Sequence, residues 1–324
     1  MKFKTKKLAS DASARTFFRV LINKKSKILV SAKKNKYSNL IAYAAINKFL
    51  RDKNFLAPKL FSHNYKRGII LIEDFGDKTF YKILIKKKNK LPVYKKLVNL
   101  LLDLQKIKPK ERVKNIKNSY HVIKKYSTTR LISESNIFFD WYLPSIYKKK
   151  KVQSIKTKVN KILLKIYKKL YFSNNYFVHR DYHSQNLMKT GKKIGIIDSQ
   201  DALIGNPAYD LVSLIDDVRI KTKNELKDKI FNYYMENSMR DHKKNRSFFI
   251  NDFNILSVQR SLKIIGIFSR LYKRDKKNKY LKLIPYTWRL LELRMKSKIF
   301  SELKNILDST ISKATRKKIL YKWK

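Results

Sequence analysis

The chain contains no cysteine. That excludes disulfides and thiolate metal sites, and it is compatible with a reducing compartment. Glycine is scarce: six residues, at 68, 76, 191, 195, 205 and 266. None precedes Gly68, so no Gly-rich loop can form near the start of the chain. Acids are scarce too, with 24 Asp+Glu against 78 Lys+Arg, a formal charge of +54. No apolar run approaches the roughly 18 to 20 residues needed to span a membrane. The N-terminal MKFKTKK is followed by LASDASARTFF, too polar and too broken for a signal-peptide core. The expectation is a cytoplasmic protein that does not engage the membrane. The five histidines, at 63, 121, 179, 183 and 242, show no zinc-type spacing.

What is present is a foldable chain. Its hydrophobic content is 43% over 324 residues, enough for one large domain or two lobes with substantial cores. The positive charge has two readings. One is a nucleic-acid partner. The other is base composition, since Lys is interleaved evenly with Ile, Asn and Tyr, all residues with AT-rich codons. A dedicated surface would form a cluster or tail, so the even spread favours the second. Nucleic acid is then bound only non-specifically, and the charge helps steer small anionic ligands.

Residues 15 to 32 read as a hairpin, with Phe18, Val20, Ile22 and Ile28, Val30 alternating about a polar turn at 23 to 26. Residues 38 to 51 read as a helix with Leu40, Ile41, Ala44, Ala45 and Phe49 on one face. Residues 68 to 75 form a short apolar strand. Hairpin, helix, strand is the order of a small nucleotide-binding lobe, with a hinge at Gly76-Asp77. From there the pattern is helical: near 92 to 107, with Tyr94, Leu97, Val98, Leu101 and Leu102 inward, then 130 to 142, 152 to 172, 224 to 240, 251 to 272 and 286 to 308. The expected fold is α+β and two-lobed, with residues 1–75 as the nucleotide-binding lobe and 76–324 as the helical, catalytic lobe of one kinase-like domain.

One stretch organises the rest: FVHRDYHSQNLMKTGKKIGIIDSQDALIGNPAYD, residues 177 to 210. Residues 198 to 217 carry Asp198, Asp201, Asp210, Asp216 and Asp217 and no Lys or Arg, so a basic chain has kept acids here. His179-Arg180-Asp181 precedes Asn186, and Asp198 ends the apolar run from Ile194 to Ile197. That is the order in which a kinase-like phosphotransferase presents a base and two metal ligands. Phosphoryl transfer needs a hydroxyl aimed in line, a carboxylate to take its proton, and divalent metal to neutralise phosphate charge. Asp181, in a loop after Tyr176-Phe177-Val178, is assigned as the base. Asn186 and Asp198 offer hard oxygens suited to Mg²⁺. His179 either orients the loop or packs in the core. Asp210 either caps the following helix or braces the loop.

The phosphate cover departs from the protein-kinase pattern. Without glycine, SDASAR at 10 to 15 must do that work through backbone amides and the Ser13 hydroxyl, helped by Arg15. The usual strand lysine is also unplaced. Lys33 and Lys34 lie where it would be expected, and both read equally as surface charges.

HRDYHSQNLM followed by IGIIDSQDALIGNPAYDL resembles the aminoglycoside phosphotransferase and choline kinase family. Four blocks, SDASARTFFRV at 10 to 20, IILIEDFGDKTF at 69 to 80, FFDWYLP at 138 to 144 and SLKIIGIFSRLYKRDKKNKYLKLIPY at 261 to 286, are similar to the bacterial kinases of N-acetylmuramate and N-acetylglucosamine. The resemblance implies ATP-dependent phosphorylation of a cell-wall amino sugar at its anomeric hydroxyl, in peptidoglycan recycling. It implies adenine near Ile72, Glu73 and Asp74, and sugar in the helical lobe, with Trp141 and Arg270 as candidates. An aromatic face suits a pyranose, and an arginine suits the lactyl carboxylate of N-acetylmuramate.

Two alternatives stand beside this. One is an aminoglycoside or other small-alcohol kinase, which a +54 chain suits poorly because such substrates are polycations. The other is a non-catalytic, basic nucleic-acid-binding module.

Overall fold

The computed structural model describes residues 5–8, 15–32, 38–114 and 120–316. The hairpin at 15–32 forms as strands β2 (Arg15–Ile22) and β3 (Lys25–Ala32). Its turn is tighter than the four polar residues suggest. Only Asn23 and Lys24 lie outside the strands, with φ of 50° and 61°, the doubly left-handed geometry that matches strand twist. β1 (Thr5–Leu8) adds to β2, and β4 (Leu60–Asn64) and β5 (Ile69–Glu73) complete an antiparallel sheet in the order β1-β2-β3-β5-β4. The outer strands β1 and β4 were not expected from the sequence. They are largely exposed and so lack the apolar alternation that marks a half-buried strand. Gly68 ends the β4–β5 turn with φ of +68°, and a Cβ there would stand 2.4 Å from the Ala32 carbonyl oxygen.

Helix α1 (Ser38–Asp52) packs on the sheet face that carries Ile28, Val30, Ala32, Ile70 and Ile72. It is buried more widely than one stripe: Ala42, Tyr43, Ala44, Ala45 and Ile46 are all inside, because three small alanines let neighbours close round it. Helix α2 (Phe80–Lys86), absent from the sequence reading, is capped by the Thr79 hydroxyl, which accepts the Lys82 N–H at 3.2 Å. Helix α3 (Leu91–Gln105) starts with Pro92 in its first turn and buries Tyr94, Leu97, Val98, Leu101 and Leu102, as expected. A small ladder of β6 (Arg112–Lys114) and β7 (Tyr120–Val122) follows.

The chain divides into two compact units. The first comprises residues 1–125 and 175–204; the second comprises 126–174 and 205–324. The lobe boundary expected at 75/76 thus lies inside the first unit. That unit also holds β8 (Tyr176–Val178), the hairpin β9 (Leu187–Thr190) and β10 (Lys193–Ile196), and most of β11 (Leu203–Gly205), which pairs with β8. The stretch from His179 to Asp198 therefore belongs with the sheet and α1.

The second unit is helical: α4 (Thr128–Trp141), α5 (Lys149–Tyr167), α6 (Ala208–Ile215), α7 (Asn224–Asn237), α8 (Arg240–Lys244), α9 (Arg246–Lys273), α10 (Ile284–Arg294) and α11 (Ser301–Thr310). Three helix boundaries correct the sequence reading. α5 stops at Tyr167, not 172, and the buried Asp252 carboxylate takes the Tyr171 and Phe172 amides at 2.9 Å each. α9 begins five residues before the expected 251. The span 286–308 is two helices, because Ser297 is extended and the chain turns there to bury Met295 and Phe300. Asn206 does cap α6, its side-chain oxygen accepting the Ala208 N–H at 2.9 Å.

α4 and α9 cross backbone to backbone. A Cβ on Gly266 would stand 2.4 Å from the Ile137 carbonyl carbon. Asp216 lies fully inside this unit, bonded to Lys227 at 2.7 Å, Arg294 at 2.9 Å and Ser257 at 2.7 Å. Burial alone would raise its carboxyl, but Lys227 and Arg294 outweigh that and hold it well below the usual range. This acid, one of the five that marked the sequence, balances buried cations. No helix among the described residues is long and apolar enough to cross a membrane.

Candidate active site

The segment after β8 folds back on itself. The Asp181 carbonyl accepts the His183 N–H at 2.9 Å and the Asn186 side-chain amide at 3.0 Å, and the His183 carbonyl accepts the Asn186 N–H at 2.9 Å. Two anchors fix this loop. The Tyr182 ring is fully buried, and its hydroxyl donates to the Leu97 carbonyl of α3 at 2.8 Å. Arg180 sits at φ +72°, and its guanidinium donates to the Asp201 carbonyl at 3.1 Å. The side chain of Asp181 remains partly accessible.

Ile197 ties the loop to the second carboxylate. Its N–H donates to the Asn186 carbonyl at 3.0 Å, and its own carbonyl accepts from His179 Nε2 at 3.0 Å. His179 is 1% exposed, so it both packs in the core and orients the loop. The next residue, Asp198, turns sharply at φ +66° and keeps about a third of its side chain exposed. Asp181 is thus bonded to Asn186, and Asn186 in turn to Ile197, the residue that precedes Asp198. The Asn186 NH₂ is turned to Asp181, which leaves its carbonyl oxygen on the other side.

The Asp198 turn is fastened to the sheet and to α1. Arg15 Nη2 donates to Asp198 Oδ1 at 2.6 Å, and Nη1 donates to Gln200 Oε1 at 2.7 Å. The Ser199 hydroxyl donates to Asn47 Oδ1 of α1 at 2.6 Å. The Arg15 guanidinium lies 5.7 Å from the Phe17 ring centre and 5.9 Å from that of Tyr43, within cation–π range. Burial pushes the Tyr43 hydroxyl up to about 12. Beneath the turn, Gly195 lies against Phe75, whose ring a Cβ there would meet at 2.7 Å.

The expected adenine-side residues lie at the end of β5. Ile72 faces the sheet core. Glu73 accepts the Lys59 N–H at 3.1 Å. Asp74 accepts Arg19 Nε at 2.5 Å, the Ser26 hydroxyl at 2.5 Å and the Gly76 N–H at 2.8 Å. Burial opposes its charge, but Arg19, Ser26 and Gly76 prevail and lower its pKa. Both carboxylates are committed to structure.

Trp141 and Arg270 belong to the second unit, half-buried at the C-terminal ends of α4 and α9. The helices run parallel here: Gln259 bonds Leu131, Lys263 pairs with Glu134, and Gly266 meets Ile137. One further turn brings Arg270 level with Trp141. Arg270 Nε is buried without a hydrogen-bond partner, and burial lowers its pKa. Ser13, Lys33 and Lys34 lie outside the described residues.

Sequence reasoning missed Asn47 and Gln200 and did not connect Arg15 to Asp198. The only available signal was register, since Arg15 must pair with a residue at the far end of its hairpin.

The sequence pattern of the phosphotransferase enzyme family matches residues 4–243. An N-acetylmuramate/N-acetylglucosamine kinase of Neisseria meningitidis serogroup B is 27% identical over 307 residues, covering 91% of this chain and 86% of its own. One of Caulobacter vibrioides is 26% identical over 281 residues, covering 85% and 76%. A choline/ethanolamine kinase family protein from Mesorhizobium loti superposes with a TM-score of 0.61 at 12% identity, over 94% of this chain and 92% of its own. An ADP-bound aminoglycoside phosphotransferase gives 0.56 at 16% identity, over 89% and 92%. With its α+β, kinase-like fold and its HRD-to-Asp198 frame, the chain belongs to the phosphotransferase enzyme family.

Proposed function

We infer that the enzyme transfers the γ-phosphoryl group of ATP to a hydroxyl of a cell-wall amino sugar, N-acetylmuramate or N-acetylglucosamine. The acceptor is the anomeric hydroxyl, and the product is a sugar 1-phosphate for peptidoglycan recycling in the cytoplasm. The observation that carries this reading is the Ile197 junction, which joins the loop of Asp181 and Asn186 to Asp198 in one frame. The names of the relatives matched over most of the chain supply the acceptor class.

Asp181 accepts the proton of the acceptor hydroxyl and orients its oxygen in line. Its carbonyl is held by two residues, His183 and Asn186, so little reorganisation accompanies the step. Asn186 Oδ1 and the Asp198 carboxylate would hold Mg²⁺, which takes one or two carboxylate-type ligands and completes its shell with phosphates and water. Among the described residues there is no group of three or more His, Cys, Asp or Glu that could hold a metal, and a two-oxygen donor set fits Mg²⁺ better than an all-protein cage. When bound, the metal neutralises charge on the β- and γ-phosphates.

Residues 1–75 form the nucleotide lobe. Ser13 and Arg15 are assigned to the phosphates. Adenine is held near Ile72, Glu73 and Asp74. Trp141 provides a ring face and Arg270 a cation for the sugar. Incubation with ATP, Mg²⁺ and each sugar, followed by phosphorus NMR, tests the reading, with a sugar 1-phosphate resonance expected. Turnover of choline or an aminoglycoside with neither sugar accepted would overturn it.

A further inference from the structure

Kinase-like sites take a phosphate-side cation from the third strand of the sheet, a lysine that also pairs with a glutamate of the following helix. Both members are missing among the described residues of this chain. The core-facing positions of β3 are Ile28, Val30 and Ala32. Its lysines do not serve: Lys25 is exposed and Lys27 lies over the Phe61 ring at 4.4 Å. The one acid of α1, Asp52, is exposed and pairs with Lys48. Helix α1 instead presents Tyr43 and Asn47 inward.

The register supplies a substitute. Arg15 stands directly across the β2–β3 ladder from Ala32, and directly opposed residues share a sheet face. Its side chain is 9% exposed, and the guanidinium lies over Phe17 and Tyr43 and bonds both Asp198 and Gln200. A positive charge therefore sits above the metal-binding carboxylate, reached from β2 instead of β3. The longer, planar side chain can hold a carboxylate and a phosphate oxygen with different N–H groups.

We propose that Arg15 is the phosphate-side cation of this enzyme, standing in for the strand lysine from the opposing position on β2, and that it holds Asp198 in place until a magnesium nucleotide arrives. This rests on the reading of the chain as an Mg²⁺·ATP-dependent kinase. Once nucleotide is bound, the guanidinium contacts a phosphate oxygen, and Asp198 turns to the metal.

Titration calorimetry with Mg²⁺·ADP and with adenosine separates the phosphate contribution from that of the base. Arg15→Met is expected to weaken Mg²⁺·ADP at least tenfold and adenosine by less than twofold, with Arg15→Lys between. In Arg15→Met/Ala32→Lys, a lysine restored to β3 recovers at least threefold of the loss. Mg²⁺·ADP affinity within twofold of wild type in Arg15→Met would overturn the proposal, as would an equal loss for adenosine. So would a folded double variant that recovers nothing. Wild-type protein that binds adenosine but gains nothing from Mg²⁺ and the phosphates would remove the kinase reading itself, a result distinct from these.

Discussion

Asn47 of α1 accepts the Ser199 hydroxyl at 2.6 Å, so the helix behind the sheet is bonded to the residue that follows Asp198. Ser199 is fully buried. Asn47→Ala leaves its hydroxyl without that acceptor, at a cost of about 1–3 kcal/mol. Denaturant titration should show a lower midpoint with an unchanged slope. An unchanged midpoint would mean that another group accepts the hydroxyl.

Asp181→Asn removes the proposed proton acceptor and keeps the shape of the loop, whose bonds to Asn186 and His183 use the backbone of residue 181. Turnover should fall by well over about 100-fold, the scale of a positioned base, while Mg²⁺·ADP still binds. A near-normal rate would end the assignment of Asp181.

Gly266→Ala tests the α4–α9 crossing. On an open helix the change would stabilise by about 1 kcal/mol. Here the new Cβ meets the Ile137 carbonyl carbon at 2.4 Å and the Phe138 nitrogen at 2.5 Å. Backbone atoms of a packed helix cannot step aside, so a net loss of about 3 kcal/mol is expected. Thermal melting gives the sign directly.

His242 gives stability a pH dependence. Burial pushes its pKa down to about 4, against 6.5 when exposed. Above pH 6.5 both states are neutral and the residue contributes no slope. As pH falls from 6.5 to 4, the unfolded chain takes the proton and the folded chain does not, so stability declines by about 3 kcal/mol across that window. His242→Phe should flatten the slope between pH 6.5 and 4. A slope identical to wild type would place the dependence elsewhere.

Arg270→Ala separates the two proposed acceptors. If Arg270 meets the lactyl carboxylate, KM for N-acetylmuramate should rise about tenfold or more, the value of one charge-assisted hydrogen bond. KM for N-acetylglucosamine should move by less than about twofold. Equal changes for both sugars would reduce Arg270 to a packing role.

What the sequence revealed was local. Asp181, Asn186 and Asp198 lie within eighteen positions, so their order and spacing can be read from one short stretch. The hairpin at 15–32 followed from partial alternation about a polar turn, and the inward face of α3 from its helical periodicity. What it hid was long-range. Arg15 and Asp198 are 183 positions apart, and only strand register shows that Arg15 shares a face with Ala32. The early stop of α5 at Tyr167 goes with Asp252, a buried acid from another helix, and no local signal could show that. The outer strands β1 and β4 stayed invisible because backbone pairing to β2 and β5, not side-chain burial, defines them. The acidic island divides in a way its sequence does not show: Asp198 pairs with Arg15, and Asp216 balances Lys227 and Arg294 in the core.

The bond between Asn47 and Ser199 is neutral on both sides, and the Arg15 guanidinium beside it is nearly excluded from solvent. Added salt screens exposed charges over a Debye length of about 10 Å at 0.1 M, but it acts weakly on buried pairs and not at all on neutral ones. A chain of formal charge +54 will change its solubility and its attraction to polyanions steeply with ionic strength. The seat of Asp198 will not follow, so the geometry of this carboxylate is insulated from the most variable property of the molecule.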